Sequence, residues 1–136
     1  MVKMTATYAG ELHCELTHGP SGSRLETDAP KDNMGRGERF SPTDLVGAAL
    51  VSCILTTMGI VAQRDNMSLV GATGEVEKDM QTTPTRKIAA LRVVIHMPAA
   101  LPLDYRRKLE TAAHHCPVHK SLHPDVQAPI AFVYDR

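Results

Sequence analysis

Apolar and polar residues alternate along the start of the chain. In "VKMTATYAG" Val2, Met4, Ala6 and Tyr8 oppose Lys3, Thr5 and Thr7. In "ELHCELTHG" Leu12, Cys14 and Leu16 oppose His13, Glu15 and Thr17. A period of two predicts half-buried strands, and Gly10 with Glu11 predicts the turn of a hairpin between them. "PSGSRLETD" predicts a third, short strand. The polar, glycine-bearing segment 29–39 reads as a loop.

The period changes at Ser41. Ser41 suits a helix N-cap, Pro42 the first helical position, and Asp44 the third, where a carboxylate meets free amides and the positive dipole end. A helix is expected to run to about Gln63 and, at ~1.5 Å per residue, to be about 33 Å long. Residues 45–62, "LVGAALVSCILTTMGIVA", form an 18-residue stretch without a charge, which meets the length of a membrane span. Two glycines, a serine, a cysteine and two threonines interrupt it, and strand patterns flank it. These features favour the central helix of a soluble core, apolar all round.

Beyond it, "SLVGATGEVEKD" and "RKIAALRVVIHM" predict a second strand pair turning at "TTPT", with Leu91, Val93 and Ile95 on one face of the latter. "PLDYRRKLETAAHH" predicts a helix with Tyr105, Leu109, Ala112 and Ala113 as its apolar stripe. A short helix is expected from Pro117, with Cys116 as its cap, and "APIAFVYD" closes the chain as a strand. Strands, long helix, strands, helix and strand make an α+β fold. The length, 136 residues, fits one domain, 1–136.

Charge adds mainly exclusions. Fifteen acidic residues balance fifteen basic ones, which argues against a nucleic-acid partner held by net charge. The low aromatic content, 4%, argues against base-stacking platforms. "MVKMTATYAG" has no apolar core behind its lysine, so no secretory leader is expected. Three cysteines without such a leader fit a reducing compartment, the cytoplasm, where thiols serve reactivity or packing.

The candidate chemistry lies in those cysteines. Cys14, inward on a strand among leucines, reads as a small hydrophobe, and Cys53 on an apolar helix reads the same way when taken alone. Cys116 stands apart, in "AAHHCPVHKSLHP". A cysteine at a helix N-terminus sits among unpaired amides, which favour the thiolate, and Pro117 fixes the helix entry. Cys116, His119 and His123 also have the spacing C-x-x-H-x-x-x-H, which zinc accepts. Pro124 and "SLHP" suggest that the helix ends before His123, and no second cysteine pair supports a metal.

"FSPTDLVGAALVSCILTTM" followed much later by "HHCPVHKSL" resembles the OsmC/Ohr family of thiol peroxidases, over almost the whole chain. The resemblance implies antiparallel strands around a long central helix, in an intertwined homodimer whose two chains build each active site. It implies that Cys53 attacks a small organic hydroperoxide and becomes a sulfenic acid, which Cys116 resolves to a disulfide. A dithiol reductant, a lipoyl protein in some members, then restores the thiols, and no metal, haem, flavin or other cofactor is needed. Family members place an arginine at the reactive thiol and hold it with a glutamate directly after the proline. Here that position is Thr43, with Asp44 next to it. Arg24, Arg36 and Arg39 are the candidate arginines; Arg39, nearest the helix start, is preferred. Asp44 is a further candidate at the site, although capping its own helix is the simpler role. Two rivals remain: a non-enzymatic protein binding a small ligand in its apolar pocket, and a metal-binding module on Cys116 and its histidines.

Overall fold

The hairpin expected from the first alternation forms, with β1 (Met4–Gly10) and β2 (His13–His18) antiparallel. Its turn falls on Glu11 and Leu12, both at positive φ, one residue later than Gly10 and Glu11. Leu12 therefore leaves the strand and lies in the turn. The third strand, β3 (Arg24–Asp28), pairs antiparallel with β2, setting Glu15 opposite Glu26 and His13 opposite Asp28. The half-buried reading fails for β1, which is exposed along almost its whole length, with Met4 and Tyr8 about two-thirds open to solvent, at 66% and 64%. The alternation of Met4, Ala6 and Tyr8 is real, but nothing in the single chain covers that face.

The computed structural model describes all 136 residues and divides into two compact units, 1–46 and 47–136. The division falls just inside helix α1 (Pro42–Arg64). Ser41 begins that helix with a reciprocal cap. The Asp44 amide donates to the Ser41 hydroxyl at 3.0 Å, and the Ser41 amide donates to the Asp44 carboxylate at 2.9 Å. Two of the donors that every helix start leaves open are thereby satisfied.

Within the second unit one stripe of α1 is buried: Gly47, Leu50, Ile54, Met58 and Ala62, spaced three or four residues apart. The stripe packs on the sheet of β4 (Thr73–Gln81) and β5 (Lys87–His96), an antiparallel pair. Gly74 of β4 marks the closest approach: a Cβ there would collide with Val51 of the helix. Leu91, Val93 and Ile95 are buried as their alternation requires. The opposite side of α1 carries exposed Ser52, Thr56 and Ile60, so the helix is not enclosed all round within one chain. By length and composition alone it is also apolar enough to cross a membrane.

The remaining elements frame this core. Helix α2 (Leu103–Ala113) buries Leu109 and Ala113, while Tyr105 and Ala112 are half-buried. The short helix α3 (Pro117–Ser121) begins at Cys116. The last strand, β6 (Ile130–Val133), joins β5 in parallel, whereas the other strand pairs are antiparallel. Strand β4 starts later than its pattern suggests, because Gly71 turns at φ +94° just before it. The elements make an α+β fold, and in the second unit the sheet packs on the long helix.

Candidate functional site

Cys53 and Cys116 are distant in sequence and meet in the second unit. Cys53 lies in the middle of α1, beside buried Ile54, and is half-buried. Cys116 is fully buried and caps α3, its sulfur accepting from the His119 amide at 3.4 Å. Pro117 at the first helical position sets this geometry, because its fixed φ suits helix entry. Both thiols are free.

The two sulfurs differ in their ease of ionisation. Burial pushes the Cys53 thiol up, but hydrogen bonds from the Cys116 thiol, the Val118 amide and the Thr57 hydroxyl together outweigh it, and its pKa falls below the ordinary value. The Cys116 pKa rises instead, first through burial and then because its proton is held in the hydrogen bond to Cys53. The His119 amide opposes that rise without overcoming it. The ranking read from the sequence is therefore inverted. The cap position does stabilise negative charge on Cys116, but full burial and the adjacent sulfur outweigh it.

No cation contributes to the lowered pKa of Cys53. All three candidate arginines lie in the first unit, and each is paired with a glutamate. Arg24 pairs with Glu15 at 3.5 Å, Arg36 pairs with Glu11, and Arg39 pairs with Glu26 at 3.3 Å. Asp44 serves the cap described above. Two contributors escaped the sequence reading: Thr57 and the Val118 amide. The i, i+4 spacing of Thr57 from Cys53 was a usable signal, and the free amide follows from placing Cys116 at a cap.

The metal set does not converge. Helix α3 ends at Ser121, His119 directs Nε2 at the Ala128 carbonyl at 3.0 Å, and His123 lies exposed beyond the helix, accepting from the Asp125 amide. Another group of possible ligands, His13, Glu15 and Glu26, brings its donor atoms within 4.8 Å of one another. Arg24 and Arg39 already balance those two glutamates.

His13 instead forms a clamp with testable consequences. Its Nδ1 faces Asp28, which is only 3% exposed, at 2.5 Å, and its Nε2 faces Glu26 at 3.1 Å. Asp28 also accepts from the Glu38 amide at 3.2 Å, tying the loop to the sheet. The hydrogen bond to Asp28, opposed by burial and aided by Glu26, raises the His13 pKa above 6.5. The hydrogen bond to His13 lowers Glu26 below 4.5 and Asp28 below 3.8. The histidine's contribution to stability is complete below 6.5 and is lost as pH rises through its raised value. The carboxylates' contributions are complete above 4.5 and are lost as pH falls through their lowered values. The melting-temperature advantage of wild type over His13→Gln is therefore expected to peak between about pH 4.5 and 6.5 and shrink above it. A thermal-melt series across pH checks this, and an advantage that grows toward pH 9 contradicts it.

The comparisons agree with this architecture. The family model described as OsmC-like protein matches residues 35–130. The chain is 37% identical to an osmotic-stress-induced and detoxification-response protein of Psychrobacter arcticus, with a TM-score of 0.91, covering 97% of this chain and 96% of that one. It shares its fold with an organic hydroperoxide resistance protein OsmC of Legionella pneumophila, at 20% identity and TM-score 0.77, covering 98% and 96% of the two chains. The same holds for the organic hydroperoxide resistance protein OhrB of Bacillus subtilis, at 19% identity and TM-score 0.69, covering 97% of each chain. A comparison with curated proteins finds no match. The chain belongs to the OsmC family.

Proposed function

We propose that the protein is a cysteine-based peroxidase that reduces small organic hydroperoxides, with Cys53 attacking and Cys116 resolving. One observation carries this reading: Cys53 and Cys116 lie near enough for each thiol to bear on the other's ionisation, which is eased at the half-buried Cys53 and opposed at the fully buried Cys116. A resolving thiol must survive as a thiol until the first sulfur has reacted. The Cys53 thiolate attacks the terminal peroxide oxygen, the O–O bond breaks, and the alkoxide leaves as an alcohol after taking a proton. Cys53 is then a sulfenic acid. The Cys116 sulfur displaces its oxygen as water, forming the disulfide, and an external dithiol, of the lipoyl type, returns both thiols while becoming a disulfide itself.

The remaining parts of the reading follow from what one chain leaves open. The protein is taken to act as a homodimer, because apolar surface lies uncovered in each unit: Met4, Tyr8 and Leu25 in the first, Ile60 in the second. A shallow depression of about 170 Å³, lined by Met4, Leu16 and Leu25 among others, adds to it. Arg39, oriented by Glu26, would serve the reactive thiol of the other copy, as a permanently charged fork suited to both a thiolate and a peroxide oxygen. The α1 helix is taken as the core of this dimer and not as a membrane span, and the cytoplasm as the compartment.

Steady-state assay with cumene hydroperoxide and dihydrolipoamide tests the proposal. Cumyl alcohol is expected in catalytic excess over protein, and hydrogen peroxide, lacking an apolar tail, is expected to react at least about tenfold more slowly. No alcohol above the uncatalysed rate refutes the reading.

A further inference from the structure

The chemistry proposed above needs Cys53 ionised at neutral pH, and within one chain no cation is there to help. Any further help must come from groups around the sulfur, and its own helix supplies some of them. The side chains within one turn of Cys53 on its face are Ala49, Leu50, Thr56 and Thr57. Ala49 and Leu50 have nothing to donate. Thr56 spends its hydroxyl on the Ser52 carbonyl at 2.8 Å, the usual fate of a helical threonine. Ser121 does the same to the Pro117 carbonyl, also at 2.8 Å. Thr57 differs. Its hydroxyl oxygen lies 3.8 Å from the Cys53 sulfur.

The direction of that bond follows from the charge state. With a neutral thiol, either atom could donate. A thiolate has no proton, so the threonine hydroxyl must donate to it. Half-burial of Cys53 removes part of the water that would otherwise solvate the anion, which makes a fixed donor matter more. A donor one helical turn away is also preorganised, since the backbone holds both residues.

We propose that Thr57 is a catalytic residue of the Cys53 site, its hydroxyl, 3.8 Å from the sulfur, donating to the thiolate and so adding to the ionised fraction of the nucleophile. This inference rests on Cys53 being the reactive thiol. It gives this chain an activating group independent of any arginine, at a position with no acid–base chemistry of its own.

The role has a signature that loosened packing would not share. Removing the donor raises the thiol pKa, which reduces the thiolate present at low pH. It also makes the thiolate that does form more nucleophilic, because reactivity rises with about the 0.4–0.5 power of basicity. For a shift of about one pH unit, the low-pH rate falls about threefold and the high-pH plateau rises about threefold. The two pH profiles therefore cross.

The test is iodoacetamide alkylation of Cys53 in the reduced full chain from pH 5 to 10, read by peptide mass spectrometry. Wild type is compared with Thr57→Val, which keeps the shape, and Thr57→Ser, which keeps the donor. Thr57→Ala supplies a second donor-free variant should valine disturb the helix. Donor-free variants are expected to shift the midpoint up by about one unit with crossing profiles, and Thr57→Ser to track wild type. Profiles that superpose on wild type, or a Thr57→Ser profile displaced like that of Thr57→Val, overturn the proposal. No peroxide enters the assay, so its outcome is separate from whether the protein reduces one.

Discussion

Cys53→Ser is expected to abolish hydroperoxide turnover, lowering the rate by at least about a thousandfold. The reason lies in the atom. A serine hydroxyl stays protonated at neutral pH, and its oxygen cannot accept a further oxygen from a peroxide as sulfur does. The three donors around position 53 would have no anion to stabilise. The substitution is small and the site half-buried, so thermal melts are expected to stay close to wild type. Following cumene hydroperoxide consumption with dithiol in excess checks the effect. Residual turnover within tenfold of wild type would move the reactive thiol elsewhere.

Cys116→Ser separates the first chemical step from the cycle. Serine is a good N-cap, so α3 keeps its start, and a hydroxyl can still donate to the Cys53 thiolate. The first attack is therefore expected to survive within a few-fold, releasing about one alcohol per chain. Steady turnover should then fall about a hundredfold, because no resolving thiol remains and the sulfenic acid is left to further peroxide. Intact-mass analysis with increasing peroxide is expected to show addition of two oxygens at Cys53, the sulfinic state. Undiminished steady turnover would mean that the external dithiol reduces the sulfenic acid directly and that Cys116 has a packing role.

Much of this is legible in the sequence. The cap at Ser41 and Asp44, the long helix, expected to about Gln63 and ending at Arg64, and the short helix after Cys116 followed from local rules, because each is set by residues within a few positions. Leu91, Val93 and Ile95 were legible as a buried face because alternation and burial coincide on a strand covered by a helix. The same rule failed for Met4 and Tyr8, where the pattern records a face that one chain does not cover. The relative acidity of the two cysteines was hidden for a different reason. It depends on which sulfur is more deeply buried and which donates to the other, and both are consequences of tertiary packing between residues far apart in sequence. The cap argument for Cys116 was correct in its own term, but that term was the smaller one.

The most direct measurement is the disulfide itself. Reduced protein treated with one equivalent of cumene hydroperoxide, quenched with an alkylating reagent and digested, is expected to yield a peptide linking Cys53 to Cys116, with Cys14 alkylated and one cumyl alcohol formed per link. Peroxide left unconsumed with all three thiols alkylated, or a link that runs through Cys14, would contradict the account.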